Sequence, residues 1–396
     1  MRPLRVILVM TEPPVPFGHA GARWSYVLLK GLLERGHRVI AFAASSKPQA
    51  IEEAKETFPS PRYDLRCYPH PIRKRLQSKW QTLRQPYSYM FSPDLRRELK
   101  AELDHGFDVL HLEETWTGWL GEPDHAAKTV INVHNLYAID RPRTVAGGPA
   151  EKLRGVLQRT AERGLLRSYP MLMAGTPRLQ RALKEIAPST PVRLVPLVLD
   201  PALYPYVPSC RRLAEPVVCL IGSMDWYPSR SAAVRLITRL WPAIKQRVTG
   251  ARLRIVGRNA RSALADYAAL SDLEIAENFA DTKPYFEQTS VLLYASECGS
   301  GVKIKVLEAF AYGVPVVTTS EGIEGLPARD GVHAGLCDDD DGLIERAVAL
   351  LNDREQQERQ RIAARQLLDR QHSPALALDA VERCYAEILA RNALAA

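Results

Sequence analysis

Several features that define other classes of protein are missing from this sequence of 396 residues. No apolar run approaches the roughly 20 residues that a helix needs to cross a bilayer. Six cysteines are scattered without paired spacing, which argues against a zinc site, and the chain is far too long for a disulfide scaffold. No low-complexity tract interrupts a composition that is 46% hydrophobic and 25% charged. We therefore expect a globular protein, and the length suits two domains of ordinary size.

The N-terminus lacks the features of a targeting signal. The apolar run in MRPLRVILVM is too short for a secretion signal, and a proline-rich loop follows it. These features favour a cytoplasmic protein. The formal net charge of +8 predicts acidic partners, such as nucleotide phosphates or lipid headgroups. Nucleic acid ranks last among these partners, because no nucleic-acid-binding motif accompanies the charge.

The first residues alternate between strand and helix patterns. Leu4–Met10 and Arg38–Ala43 are typical of buried parallel strands, and a helix is predicted between them from about Arg23 to Glu34. The loop before that helix contains Gly18 and Gly21 but lacks the spacing GxGxxG. This absence argues against a nicotinamide site and therefore against an oxidoreductase. A simple tight turn is the competing interpretation of Gly18.

Acidic and imidazole side chains follow two further predicted strands. Asp108–Leu112 precedes Glu113 and Glu114, and Val130–His134 ends on a histidine. Ligands of open α/β sheets bind at the carboxyl ends of the strands. His134 is therefore a candidate functional residue, with a purely structural histidine as the alternative.

Residues 298–319, CGSGVKIKVLEAFAYGVPVVTT, contain a glycine-rich loop, a predicted helix and a short predicted strand. Gly299 and Gly301 allow tight turns and expose backbone amide groups. Gly313 is placed to end the helix, and residues 315–318 form a short run typical of a buried strand.

Two lysines in this segment indicate a phosphate site. Lys303 and Lys305 fall in the first turn of the predicted helix, where each cation costs up to about 1 kcal/mol against the helix dipole. A bound anion removes that cost, and a helix N-terminus preceded by glycines is a natural phosphate site. The competing interpretation is an ordinary solvated pair between Lys305 and Glu308.

The same segment resembles a known family. GSGVKIKVLEAFAYGVPVVTTSEGIEGL resembles the donor-binding segment of the retaining glycosyltransferases of family 4 (glycosyl transferases group 1), which have the GT-B fold. In that family the glycine loop and basic residues hold the diphosphate of a nucleotide sugar, and the glutamate that corresponds to Glu308 holds the ribose. Many members have a second glutamate eight positions earlier, where this chain has Ser300. The chain instead resembles a branch with a GSGxKxK loop, in which basic residues take over that role.

Other segments extend the resemblance. VINVHNLYAIDRPR resembles the family segment whose histidine, here His134, sits against the transferred sugar near its anomeric carbon. Arg141 and Arg143 are the acceptor contacts that this segment implies. IGSMDWYPSRSAA resembles the first turn of the donor domain. Contacts with the nucleotide sugar are implied at Gly18, Gly21, Gly222, Ser223, Arg258, Gly299, Ser300, Gly301 and Val302.

The resemblance implies an α/β fold of the GT-B type. In that fold two Rossmann-like domains have parallel sheets that face across a cleft, and the C-terminal helix crosses back to the first domain. On this plan residues 1–200 form the N-terminal acceptor-binding domain and residues 216–375 the nucleotide-sugar-binding domain. Residues 201–215 are then the linker, and residues 376–396 the helix that packs back on the first domain.

The implied activity is that of a retaining hexosyltransferase. It moves a sugar from a nucleotide sugar, such as a UDP- or GDP-sugar, to a hydroxyl on a glycan, a lipid-linked or a small-molecule acceptor. Lys303, Lys305 and the loop amides stabilise the departing nucleoside diphosphate, which itself accepts the acceptor's proton. Glu308 binds the ribose and His134 orients the sugar.

No metal or other cofactor is expected, because no Asp-x-Asp pair is placed at the diphosphate. Two alternative functions share the same fold. A nucleotide-sugar epimerase would need acidic groups in its site, and a non-catalytic nucleotide-sugar-binding module would keep Glu308 and the lysines without turnover.

Two basic stretches lie in the first half of the chain. Ile72–Arg84 carries a tryptophan and apolar residues near helical spacing, and Lys152–Arg167 is the second stretch. Basic amphipathic helices dock on anionic membranes. Peripheral contact with the inner face of the membrane is therefore an expectation, and ordinary surface helices with a soluble acceptor are the alternative.

Overall fold

The chain forms two compact units. The computed structural model describes residues 1–18, 20–71, 81–82, 84–140, 148–207, 215–277 and 281–395. The first unit comprises Met1–Val198 and Pro374–Ala396, and the second comprises Leu199–Ser373. The chain therefore builds most of the first unit, then the second, and ends on a helix that belongs to the first.

The described part of the first unit contains one sheet of seven parallel strands. These strands are β1 (Arg5–Met10), β2 (Arg38–Ala44), β3 (Tyr63–Tyr68), β4 (Val109–Glu113), β5 (Thr129–Val133), β6 (Leu172–Ala174) and β7 (Val192–Leu194). Their spatial order is β3-β2-β1-β4-β5-β6-β7. Nearly every residue of β1, β4 and β5 is buried, as expected for strands covered on both faces.

The described part of the second unit contains six parallel strands. These are β8 (Val217–Ile221), β9 (Arg252–Val256), β10 (Leu273–Ala276), β11 (Val291–Tyr294), β12 (Val316–Thr318) and β13 (Gly335–Leu336). Their spatial order, β10-β9-β8-β11-β12-β13, is that of a Rossmann fold.

Helices connect the strands of both sheets, and short polar or glycine residues set several of their ends. Ser92 and Thr176 accept hydrogen bonds from backbone amides at the first turns of the helices Pro93–Asp104 and Pro177–Ile186. Gly313 ends the helix Ile304–Tyr312 with a left-handed φ of 71°. The α-helices are α1 (Ala20–Glu34), α2 (Pro48–Glu56), α3 (Pro93–Asp104), α4 (Glu114–Thr117), α5 (Tyr137–Asp140), α6 (Pro149–Arg167), α7 (Pro177–Ile186), α8 (Tyr227–Arg235), α9 (Trp241–Arg247), α10 (Ala260–Ala263), α11 (Lys283–Glu287), α12 (Ile304–Tyr312), α13 (Asp340–Asn352), α14 (Arg354–Gln371) and α15 (Pro374–Ala395).

Each sheet reverses its strand order at one place. In the first unit β1 lies between β2 and β4, and in the second unit β8 lies between β9 and β11. At such a reversal the loops after the two neighbouring strands leave toward opposite faces, and the crevice between them is where ligands of open α/β sheets bind. The loops after β1 and β4, and those after β8 and β11, therefore mark the candidate sites.

The C-terminal helix α15 packs within the first unit. Arg35, which directly follows α1, lies 2.7 Å from Asp379 and also pairs with Glu382. The hydroxyl of Tyr385 lies 2.6 Å from Nδ1 of His111, a buried residue of β4. This last helix therefore completes the core of the first unit and reaches a polar group inside it.

The predicted strands are confirmed, with shifted ends. β5 ends at Val133, so His134 directly follows the strand instead of ending it. Helix α1 begins at Ala20, earlier than the predicted Arg23. The sequence does not predict β3, because its partly exposed YDLRCY pattern lacks a continuous apolar run.

Some predicted features lie outside the described residues. These are most of the basic stretch Ile72–Arg84, the proposed acceptor contacts Arg141 and Arg143, and residues 208–214 of the predicted linker.

Candidate active site

A glycine-rich loop and the start of α12 form the candidate site of the second unit. Gly299 and Gly301 have left-handed backbone conformations, with φ of 124° and 80°. Other residues rarely adopt these angles, so both glycines are needed for the loop to turn. Lys303 precedes the first helical residue as its N-cap, and Val302 stands beside the positive end of the helix dipole.

Lys305 is held over the loop that follows β8. Its Nζ donates a hydrogen bond to Ser229 Oγ at 2.9 Å and lies 4.0 Å from the centre of the Tyr294 ring. A Cβ on Gly222 would lie only 3.0 Å from Lys305 Cε, so a glycine makes room for the lysine. Gly222 follows β8 and Tyr294 ends β11, which places Lys305 at the point where the strand order reverses.

The surroundings of Lys305 change its acid–base behaviour. Burial lowers its pKa to about 7, and the negative charge of Glu308 opposes that change only in part. The ammonium group therefore loses much of its charge at neutral pH. A bound anion would restore the charge, so the surroundings suit a phosphate group.

Lys303 has a different position from Lys305. Its Nζ donates a hydrogen bond to the carbonyl oxygen of Gly301 at 2.6 Å. The same atom lies 3.9 Å from a carboxylate oxygen of Glu324, and the lysine side chain is 8% exposed. Lys303 therefore links its side chain to the backbone of the glycine loop and places a positive charge next to that loop.

Glu308 lies one turn beyond Lys305 on α12 and is 4% exposed. Its Oε1 accepts a hydrogen bond from Thr282 Oγ1 at 3.1 Å. This burial argues against a solvated surface pair with Lys305. A buried carboxylate requires hydrogen-bond donors, which the protein or the hydroxyl groups of a ligand can supply.

Two further predicted contacts of the second unit, Ser223 and Arg258, lie at the same sheet edge, next to Gly257. Gly257 follows β9, and the carbonyl oxygen of Gly222 occupies the place that a Cβ on Gly257 would need. Arg258 Nε lies 3.2 Å from Asp225 Oδ2. Ser223 Oγ lies 3.5 Å from the same carboxylate oxygen. Asp225 therefore orients Arg258 and Ser223 beside the loop after β8.

The first unit contains a buried polar cluster at the carboxyl ends of β4 and β5. Glu113 ends β4 and is 1% exposed. Its carboxylate accepts hydrogen bonds from Trp24 Nε1 at 3.0 Å and from Asn132 Nδ2 at 3.2 Å. Nε2 of His111 lies 2.8 Å from the same carboxylate. A carboxylate removed from water requires partners of this kind, because an unpaired buried charge is costly.

His134 completes this cluster. Its Nε2 forms a hydrogen bond of 2.6 Å with Glu113 Oε2. Burial opposes charging of the imidazole, but the negative charge of Glu113 and this hydrogen bond outweigh burial and raise the pKa of His134. Burial alone would raise the pKa of Glu113, but its interactions with His111 and His134 outweigh burial, and the pKa falls well below the usual range. Glu113 and His134 therefore favour the charged states of an ion pair. Nδ1 of His134 lies on the side of the imidazole ring that faces away from Glu113.

Glu114 stands next to this pair with a left-handed backbone φ of 68°. Its Oε1 lies 3.7 Å from His134 Nδ1 and occupies the place where a Cβ on Gly21 would lie. Burial raises the pKa of Glu114 to about 7, against the opposing charge of His134. Gly21 therefore belongs to this cluster, whereas the carbonyl oxygen of Gly18 accepts a hydrogen bond from Arg23 Nε at 2.6 Å.

The structure brings several predicted residues together and adds others. Gly222 lies against Lys305 in the second unit. In the first unit Gly21 lies against Glu114, whose carboxylate is 3.7 Å from His134 Nδ1. Ser229 and Tyr294 are not predicted from the sequence. Ser229 lies in the first turn of α8 and Tyr294 ends β11, and neither residue type indicates a lysine partner far away in the sequence.

Two family models match the chain, and together they cover both units. "Glycosyltransferase Family 4" matches residues 21–203, and "Glycosyl transferases group 1" matches residues 215–353. The chain belongs to the family 4 glycosyltransferases. No curated protein matches this glycosyltransferase in sequence.

Solved structures of low identity show the same fold. Sucrose-phosphate synthase from Thermosynechococcus elongatus is 17% identical with a TM-score of 0.75, over 98% of this chain and 99% of that chain. Anabaena HepE in complex with UDP and glucose is 12% identical with a TM-score of 0.68, over 97% and 100%. An α,α-trehalose-phosphate synthase from Burkholderia vietnamiensis is 12% identical with a TM-score of 0.64, over 97% and 100%. The predicted GT-B class is thereby confirmed.

The described residues contain neither a membrane-spanning helix nor a side-chain cluster typical of a metal site. None of the described helices is long and apolar enough to cross a membrane. Among the same residues, no group of three or more histidine, cysteine, aspartate or glutamate side chains is arranged to hold a metal ion.

Proposed function

We propose that this glycosyltransferase uses a nucleotide sugar and transfers its sugar with retention to a hydroxyl acceptor. The observation that carries the donor assignment is the position of Lys305, which is held between Ser229 and the Tyr294 ring beside the start of α12. A cation in a poorly hydrated place at a helix N-terminus suits a diphosphate. Retention follows from the resemblance of residues 299–326 to the donor segment of retaining family 4 enzymes.

Each residue of the second unit has a distinct role in this proposal. Lys305 contacts the diphosphate and stabilises the charge that develops as the sugar departs. The amides near Gly301 and Val302 add hydrogen-bond donors at the helix N-terminus, and Lys303 supports the loop that presents them. Glu308 accepts hydrogen bonds from the ribose hydroxyls. A diphosphate oxygen accepts the proton of the attacking hydroxyl, so no protein base is required.

His134 orients the sugar in the first unit. Its Nε2 is engaged with Glu113, and its Nδ1 is the ring nitrogen on the side of Glu114. Because the buried carboxylate of Glu113 favours the positively charged imidazole, both ring nitrogens carry a proton and Nδ1 can donate a hydrogen bond. This arrangement supports a role in binding sugar oxygens, with Glu113 fixing the ring.

A panel assay tests the proposed function. The wild-type enzyme is incubated with UDP- and GDP-sugars, with and without simple glycoside acceptors, and release of nucleoside diphosphate is measured. We expect release with a subset of these donors, and an α-linked product from an α-linked donor by NMR. An inverted product would contradict retention. A protein that binds neither UDP nor GDP and turns over none of the donors would contradict the nucleotide-sugar assignment.

We expect transfer to proceed without a divalent cation. Lys305, Lys303 and the helix N-terminus supply the positive charge that a metal ion supplies in other transferases. The measurement is the initial rate with millimolar EDTA, compared with the rate in added magnesium or manganese. Equal rates within about twofold agree with the proposal. Complete loss in EDTA that magnesium restores would overturn it.

Helix α6 supports a second element of the proposal, docking on an anionic membrane. Leu153, Val156 and Leu157 share one face of this helix and are 61%, 50% and 37% exposed. Lys152 and Arg154 are exposed beside them. Apolar side chains flanked by basic ones suit the interface of an anionic bilayer, where each basic residue contributes about 1 kcal/mol.

Sedimentation with liposomes tests this docking. We expect binding that grows with the anionic lipid fraction and is lost in molar salt, where the Debye length is about 3 Å. Leu153→Ser combined with Val156→Ser should weaken binding severalfold. Ile362→Ser, which removes a 43% exposed apolar residue of α14, is the matched control and should bind as the wild type does. Binding that ignores lipid charge, or no binding, would favour an enzyme with a soluble acceptor.

A further inference from the structure

The proposed reaction leaves the backbone geometry of Glu114 unexplained. Glu114 is one of three described non-glycine residues with positive φ, together with Tyr87 and Asn259. A glutamate gains nothing locally from this conformation, which glycine or asparagine adopts at lower cost. Backbone strain of this kind persists where the surrounding structure holds a side chain in place for function.

The left-handed φ of Glu114 determines where its side chain lies. The left-handed turn directly after β4 brings the carboxylate against α1, where Gly21 leaves the space that a Cβ would fill. The side chain is 17% exposed, so it is mostly enclosed yet reachable by a ligand. The loop after β4 is also one of the two loops at the strand reversal of the first sheet, where ligands bind.

The distance between Glu114 and His134 fits a ligand atom. Oε1 and Nδ1 are 3.7 Å apart, which exceeds the length of a direct hydrogen bond. One hydroxyl oxygen about 2.8 Å from both atoms satisfies both of them. The imidazole N–H then donates to that oxygen, and the hydroxyl proton is donated to the carboxylate. A hydroxyl group both donates and accepts, which water and sugars share but ions and ethers do not.

We propose that Glu114 and His134 together bind one hydroxyl group of the transferred sugar, and that Glu114 thereby determines which sugar the enzyme accepts. The proposal rests on the proposed nucleotide-sugar function. Glu114 is a contact residue in it, and Gly21 is a positioning residue that keeps its place open. No bond to the sugar is made or broken by Glu114, and its proton state at the end of the reaction is the same as at the start.

The charges around Glu114 give the proposal a pH signature. Glu113 and Glu12 face it with negative charge, His134 faces it with positive charge, and Thr11 donates a hydrogen bond. Burial, the largest influence, raises the pKa of Glu114 to about 7 in the free enzyme. The ionised form is the better acceptor for a hydroxyl, so kcat/KM should fall as the pH decreases below 7, approaching tenfold per pH unit.

The test uses the nucleotide sugar that the panel assay selects and its monodeoxy analogues. Glu114→Gln should lower kcat/KM with the parent donor by about 10- to 100-fold, the value of a hydrogen bond to a charged group. It should also remove the acid limb of the pH profile. One deoxy analogue should react equally poorly with wild type and variant, because the hydroxyl that Glu114 binds is already missing. Affinity for UDP alone, which lacks the sugar, should be unchanged.

Two further variants separate binding from structure. Glu12→Gln removes a neighbouring negative charge without removing the proposed contact, and it should retain near wild-type kcat/KM. Glu114→Asp keeps the charge on a shorter side chain and should recover the acid limb with a raised KM. A Glu114→Gln enzyme within twofold of wild type, or one that loses the same factor with every analogue, would overturn the proposal. A wild-type protein that binds neither UDP nor GDP and turns over none of the donors would instead overturn the nucleotide-sugar function, and this proposal with it.

Discussion

Replacing Lys305 with alanine should lower transfer by about 10²- to 10³-fold, the loss seen when one preorganised group at a developing charge is removed. The reason is its position over Ser229 and the Tyr294 ring, where the ammonium is a poorly hydrated cation that a diphosphate can pair with. Binding of UDP should weaken in parallel, because the product carries the same diphosphate. Isothermal titration with UDP and initial rates with the selected donor measure the two effects.

A pH dependence distinguishes this role from simple structural support. The pKa of Lys305 is lowered to about 7 in the free protein, and a bound diphosphate raises it, so binding takes up a proton above pH 7. Affinity for UDP should therefore fall as the pH rises from 7 to 9, by up to about tenfold per unit. In Lys305→Met, which keeps the apolar stem, this slope should disappear.

Stability gives the control for the same prediction. Lys305 has a lowered pKa in the folded state, so its burial costs stability at every pH below its unfolded value of 10.5. Lys305→Met should therefore melt at or above the wild-type temperature while losing activity. Lys245→Ala removes a 50% exposed lysine that pairs with Asp272, and it should leave UDP binding unchanged. A Lys305→Ala enzyme that transfers at the wild-type rate would contradict the phosphate role.

Most of the fold could be predicted from the sequence, because the strongest sequence signals of its strands and helices are local. Runs such as RVILVM and VVCLI are apolar on both faces, and that pattern identifies buried parallel strands directly. Gly313 ended α12 where its position predicted, because a left-handed residue is the usual way to close a helix. Short or half-exposed strands such as β3 and β13 depend on pairing with neighbours, and no local pattern indicates that pairing.

Only part of the candidate site could be predicted from the sequence. The glycine loop and Lys305 have local signals in helix position and spacing. The partners of Lys305 are far away in sequence, and an ordinary serine and tyrosine carry no signal of their own. For Glu113 and Glu114 the sequence showed adjacent acids after a strand. It did not show that one is enclosed by histidines while the other turns against Gly21 of α1, because that difference depends on the φ of a single residue.

The buried pair of Glu113 and His134 leads to the second large expected effect. Glu113→Gln removes the negative charge that holds the imidazole charged and in one orientation, while keeping the size of the side chain. We expect transfer to fall by about 10²-fold or more, since an orienting carboxylate fixes both the protonation and the direction of its histidine. UDP affinity should stay near wild type, because Lys305 and Glu308 belong to the other unit.

Thermal unfolding as a function of pH separates this loss from a general defect. Glu113 has a lowered pKa, so its contribution to stability is present above its unfolded value of 4.5 and is lost as the pH falls below it. His134 has a raised pKa, so its contribution is present below 6.5 and is lost as the pH rises through the folded value. The melting temperature of Glu113→Gln should therefore differ most from wild type between about pH 4.5 and 6.5, where breaking a buried pair costs about 3–5 kcal/mol.

Two comparisons complete this prediction. Glu387→Gln breaks a partly exposed pair with Arg193 in the same unit and should change neither transfer nor the pH dependence of melting. Glu113→Asp restores the charge but draws it back from the imidazole, so its transfer rate should lie between those of wild type and Glu113→Gln. Glu113→Gln with wild-type transfer and a pH-independent loss of stability would mean that the carboxylate serves only the core, and that His134 is oriented by its other neighbours.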